Sequence, residues 1–175
     1  KSRYTAHCQL TDLLDAAESL RATRHQLHRT PELSFKEAAT SELVAARLVG
    51  WGWDVTRHVG GHGVVGTLKV GDGKRAVAIR ADMDALPIAE ETGLPYASAI
   101  RGESDEGRPV GIMHACGHDL HMANLVGTVR WLAANKTRWR GTLLVVFQPA
   151  EEGGLGAKAM LADKLFERFV RPDYA

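Results

Sequence analysis

Apolar positions near the start of the chain repeat with the period of a helix. Leu10, Leu13, Leu14, Ala17, Leu20 and Leu27 share one stripe, which predicts a helix over about 10–28. The stretch RTPELSF interrupts it, and Pro31 places a helix boundary there. A second amphipathic helix is expected over about 36–49, with Gly50 as its stop. The pattern then shortens. WDVTRHV (53–59), GVVGTLKV (63–70) and RAVAIRA (75–81) read as strands, and GDGK between the last two is a hairpin signal. A long polar loop over 88–112 leads to a helix predicted at about 118–134. GTLLVVF (141–147) is an unbroken apolar run of strand length, the pattern of an interior strand covered on both faces. GAKAMLADKLFERF is helical by composition, and the ending FVRPDYA has no terminal cap and is expected to be a truncation point. Helices alternating with buried strands predict an α/β layered domain, a central sheet flanked by helices. No internal repeat or low-complexity linker divides the 175 residues, a length that suits one domain.

Side chains able to do chemistry collect where these elements end. In AIRADMDALP (78–87), Asp82 and Asp84 follow an apolar strand. Residues two apart in extended backbone point the same way, so both carboxylates would project past the strand's C-terminal end, the edge where open α/β sheets place ligands. Like charges this close call for a cation beside them, or for one carboxyl to stay protonated. In MHACGHDLH (113–121), Cys116 and His118 flank Gly117 just before a helix. A tight turn at the glycine lets thiolate and imidazole converge on a borderline-soft cation such as Zn²⁺. The start of the helix favours the negative thiolate, and Asp119 is a candidate to orient a ligating histidine. His114 and His121 are expected in hydrogen-bonding or structural roles. In FQPAEEGG (147–154), Glu151 and Glu152 come directly after the interior strand. If the chain there stays extended, the two would point to opposite sides, one toward a metal and one toward a water. A solvated loop is the plain alternative for each acidic pair alone. Acidic and soft ligands after two strands and at one helix start together make a bound-metal site the better reading.

Composition narrows the classes. A net charge of +1, with 25% charged residues, offers no electrostatic case for nucleic acid or an anionic membrane. No apolar run reaches the roughly 18 residues a spanning helix needs, and KSRYTAHCQL lacks the apolar core of a signal peptide. Cys8 and Cys116 could pair, but Cys116 among histidines reads more naturally as a ligand, and a cytoplasmic location is the default. Cys116 as a nucleophile with His118 as base is disfavoured. The two are close in sequence, and neighbouring carboxylates would raise the thiol rather than depress it.

RHQLHRTPELSFKE, RADMDALPI, MHACGHDLHMA and FQPAEEGGLGA resemble, in order and spacing, the signatures of the amidohydrolase branch of the M20 metallopeptidase family, the hippurate hydrolase and N-acyl-amino-acid amidohydrolase group. The resemblance runs from about residue 20 to 162. It implies that residues 1–175 are the N-terminal part of a catalytic domain, truncated before a lid or dimerisation domain. Two divalent ions (Zn, Mn, Co or Ni) per full-length subunit are implied. Cys116 would bridge them, His118 and Glu152 would each be ligands, and Glu151 would be the general base. Asp84 matches the aspartate that orients a metal-binding histidine in the wider family. That histidine's position is Asp82 here, and His118 would make up the missing nitrogen. Two more histidine ligands would follow Ala175. The implied activity is hydrolysis of small-molecule N-acyl amino acids by a homodimer, with this segment inactive alone. An M20-type exopeptidase on short peptides is the nearest alternative, against which stands Cys116 in place of the aspartate of that branch. A non-catalytic metal-binding module is another, against which stands the intact Glu151.

Overall fold

The computed structural model describes residues 10–175, with side chains described from Ala16 onward. Cys8, and any pairing of it with Cys116, lies outside the described residues, as does the side-chain packing of Leu10, Leu13 and Leu14. Helix α1 (Leu10–Arg29) ends before Pro31 as its pattern requires. Helix α2 (Ala38–Gly50) starts slightly later than expected. The Glu32 carboxylate reaches forward to cap it, accepting from the Ala39 and Thr40 amides at 3.1 and 2.7 Å.

Strands β1 (Asp54–Val59), β2 (Gly63–Val70) and β3 (Ala76–Asp82) follow where the short apolar runs placed them. A small hairpin, β4 (Arg101–Glu103) with β5 (Pro109–Gly111), interrupts what the polar composition of 88–112 predicted as loop. Helix α3 (His118–Ala134) and strand β6 (Gly141–Gln148) come next. The final helical stretch is broken into α4 (Gly156–Ala162) and α5 (Leu165–Arg168), because Lys164 turns left-handed at φ +59°.

The sheet order is β1-β2-β6-β3. β1–β2 and β2–β6 are antiparallel, while β3–β6 is parallel. The expected hairpin between β2 and β3 is therefore wrong: β6 lies between them, and the chain pairs in hairpin fashion at β1–β2 instead. The reason is β6 itself. Apolar on both faces and along its length, it is stable only in the interior with a hydrogen-bonded neighbour on each side. The GDGK turn accordingly arches over the start of β6, and Gly73 passes so close to Gly141 and Arg140 that a Cβ there would not fit.

Alternation along β6 splits the core in two. Val145 and Phe147 face α1, α2 and α3, packing with Leu27, Val44, Leu48, Met122 and Val129. Leu144 and Val146 face Val59, Val65, Met160 and Leu165 on the other side. Full burial of each such side chain contributes about 1.5–3 kcal/mol. The result is a mixed sheet between helical layers, as the alternating pattern predicted. Because β3 and β6 are parallel neighbours with Asp82 opposite Gln148, their C-terminal ends open onto one edge.

Candidate metal centre

At that edge three chain segments meet. Gly117 adopts φ +81°, a turn that a side chain would strain, and places His118 as the buried first residue of α3. His118 Nδ1 lies 2.8 Å from the Asp84 backbone carbonyl and 3.4 Å from Asp84 Oδ1. A carbonyl can only accept, so Nδ1 carries the proton and Nε2 is turned toward the remaining carboxylates. It faces Asp82 Oδ2 at 3.6 Å, Glu151 Oε2 at 3.6 Å and Glu152 Oε1 at 3.9 Å. Burial opposes a charge on this ring, yet Asp84 and Asp82 outweigh it and raise the imidazole to about 9. A proton on Nε2 thus balances the surrounding negative charge, in the place where a divalent cation would serve the same purpose.

Both aspartate carboxylates lie near the His118 ring. Asp82 accepts from His121 Nδ1 at 2.7 Å, and Asp84 is wholly committed to donors. Asp84 takes the Glu151 amide on Oδ1 and the Glu152 amide on Oδ2, each at 3.0 Å, with the Ser34 hydroxyl at 2.6 Å. Burial alone would raise this carboxyl, but the donors, His118 and Ser34 foremost, hold it down at about 2.

The expectation that Glu151 and Glu152 point to opposite sides fails. Ala150 is left-handed at φ +48°, so the chain leaves β6 in a turn rather than extended, and both carboxylates come within reach of His118. Glu37 reaches the same turn, its buried carboxylate accepting from the Ala150 amide at 2.8 Å and from the Phe35 amide at 3.0 Å. Burial pushes this carboxyl up.

Cys116 is exposed on the turn before α3. The neighbouring Glu152 carboxylate, foremost, pushes its thiol up to about 11, with the negative charge of Glu151 adding to the effect. A free thiol so raised is a poor nucleophile, which fits the argument against a cysteine mechanism. The expected pairing of Asp119 with His118 is not made. Neighbouring helix residues point about 100° apart, and Asp119 turns instead to α1, accepting from Arg24 Nε and His28 Nδ1 at 2.9 Å each. His114 is buried, and that burial pulls its imidazole down to about 4. His121 does more than the sequence suggested. Its ring, Asp82 and His118 each offer a ligand atom within 4.8 Å of the others, as do His118, Glu151 and Glu152.

These residues suit a divalent cation. Imidazole and carboxylate oxygens converge, a thiol stands beside them, and buried Glu152 Oε1 has no hydrogen-bond partner among the described residues. No helix among the described residues is long and apolar enough to cross a membrane.

Comparison with known proteins identifies the family of the chain. The chain is 44% identical over 160 residues to the hippurate hydrolase of Campylobacter jejuni, covering 91% of the chain and 39% of that protein. It is 45% identical over 141 residues to thermostable carboxypeptidase 1 of Saccharolobus solfataricus, covering 79% of the chain and 34% of that protein. The crystal structure of the Bacillus subtilis YXEP protein, described as a dinuclear metal-binding peptidase of the M20 family, superposes with a TM-score of 0.78 at 35% identity. That match covers 88% of this chain and 41% of the other. The chain thus spans less than half the length of the relatives it matches. The profile of peptidase family M20/M25/M40 matches residues 78–175, which carry β3, α3 and the Glu151–Glu152 turn. The chain belongs to that family.

Proposed function

We propose that the full protein hydrolyses the amide bond of N-acyl amino acids, with Glu151 as general base and Cys116, His118 and Glu152 as metal ligands. The observation that carries this reading is the His118 imidazole, fixed through Nδ1 by the Asp84 carbonyl while Nε2 faces both glutamates. Two divalent cations, drawn from Zn, Mn, Co and Ni, would supply Lewis acidity, polarising the amide carbonyl and making a water acidic enough to attack near neutral pH. Glu151 takes the proton of the attacking water and returns it to the leaving nitrogen. Its side chain is 41% exposed, open to substrate, whereas that of Glu152 is 18% exposed. Asp84 positions both through their amides and His118 through its ring. A cleft of about 210 Å³ lined by Leu33, Ser34, Ala85 and Glu152 opens beside the pair and can take a small acyl or amino-acid group. The family resemblance alone extends the reading to a homodimer with a lid or dimerisation domain outside these residues, and cysteine usage alone to a cytoplasmic location.

Glu151→Gln in the full protein should keep the metal content and lose about 10²–10⁴-fold in turnover. Near-normal turnover in that variant would refute the assignment. Similarity to a carboxypeptidase supports a second reading, peptide hydrolysis at the same centre. A panel of N-acyl amino acids against dipeptides separates the two by kcat/KM.

A further inference from the structure

Glu37 sits where a helix normally finds its N-cap, yet it makes no capping bond. Glu32 caps α2 in its place, which leaves the Glu37 carboxylate free to turn inward. There it is fully buried, and one oxygen accepts from two backbone amides, Phe35 at 3.0 Å and Ala150 at 2.8 Å. Both of those residues are left-handed without being glycine, at φ +58° and +48°. Such conformations persist only where the surroundings enforce them, and they concentrate at functional sites. The amides of Ala150, Glu151 and Glu152 are thus taken in succession by Glu37 Oε1, Asp84 Oδ1 and Asp84 Oδ2. Two buried carboxylates grip the backbone of a turn whose next two side chains are the glutamates of the metal centre. The other oxygen of Glu37 is buried with no partner among the described residues, so charge pairing does not explain the residue.

We propose that Glu37 is a positioning residue: by holding the Ala150 amide, it fixes the turn from which Glu151 and Glu152 project toward His118. This rests on the reading of Glu151 as base and Glu152 as ligand. It requires the reach and acceptor oxygen of residue 37 but not its charge. Glutamine keeps both; aspartate keeps the charge and falls one methylene short.

The test compares Glu37→Gln, Glu37→Asp and Glu37→Ala in the full protein, well below each variant's melting transition. Three quantities are read: hydrogen–deuterium exchange of the segment 148–155, Co²⁺ affinity by titration, and kcat with KM for an N-acyl amino acid. E37Q should stay within about threefold of wild type in kcat and Co²⁺ affinity. E37D and E37A should speed exchange across 148–155, weaken Co²⁺ binding about tenfold and lower kcat about 10–100-fold with KM little changed, since displacement of about 1 Å has costs of that order. Unchanged exchange in E37D would show that no clamp is made. Faster exchange with unaltered kcat and Co²⁺ affinity would show a clamp without a positioning role. An E37Q variant as impaired as E37D would show that charge is what matters. Each of these overturns the proposal. Failure of the underlying reading is separable: it appears as an active E151Q variant, while the exchange and Co²⁺ measurements on Glu37 need no turnover.

Discussion

Asp84→Asn is the sharpest probe of the hydrogen-bonded turn. Both Asp84 oxygens serve donors: Oδ1 takes the Glu151 amide, and Oδ2 takes the Glu152 amide and the Ser34 hydroxyl. An asparagine side chain has one acceptor oxygen and one NH₂. In either orientation the NH₂ opposes a backbone N–H that cannot rotate away, although the Ser34 hydroxyl can. One buried amide is left unpaired, costing about 1–3 kcal/mol, and the surviving bonds lose their charge assistance, about 1 kcal/mol more. The same donors hold the carboxyl at about 2 rather than its ordinary 3.8, which favours the ionised form by about 2 kcal/mol. Urea denaturation at neutral pH with chelator present should therefore show D84N less stable by about 2–4 kcal/mol. The folded-state value lies below the unfolded one, so this contribution is present above about pH 4 and is lost as the pH falls toward 2. The gap between wild type and D84N should narrow across that window. A gap below about 0.5 kcal/mol at neutral pH, the range of ordinary surface substitutions, would refute the account.

Other consequences are simpler. His118→Ala removes the nitrogen common to both ligand clusters and should weaken Co²⁺ or Zn²⁺ binding by at least about tenfold in a titration, more than the same change at exposed His121. Gly156→Ala would drive a Cβ into the Pro149 carbonyl oxygen and should cost more than about 3 kcal/mol by thermal melting, which also tests the closure of the 149–156 loop. Phe147→Ala empties the centre of the larger core and should cost about 3–5 kcal/mol in the same assay.

Elements with a strong period of their own could be read directly from the chain. The stripe from Leu10 to Leu27 and the apolar segment 118–134 become α1 and α3. The uninterrupted GTLLVVF becomes the interior strand β6. The strand pairing could not be read in this way. GDGK looks like a hairpin turn because local sequence records only that the chain reverses, not which strand arrives later to lie between. The same limit applied at the site. Asp82, Asp84, Cys116, His118, Glu151 and Glu152 stood out because acidic and soft side chains gathered at element ends. Glu37 and Ser34 did not, since S-x-x-E before a helix is ordinary capping chemistry. Only the folded chain shows that Glu32 takes over the cap, sending Glu37 to the Ala150 amide and Ser34 to Asp84.

Residue type and spacing determined by themselves most of the elements and the acidic and soft side chains gathered at their ends, because those depend on period and donor chemistry within a few residues. The tertiary structure decided which strand β6 separates, that His118 turns to Asp84 while Asp119 turns to His28, and that Glu151 and Glu152 face the same way. Each of those outcomes depends on partners between about 30 and 115 residues distant, whose approach is set by packing of the whole sheet and not by any local preference.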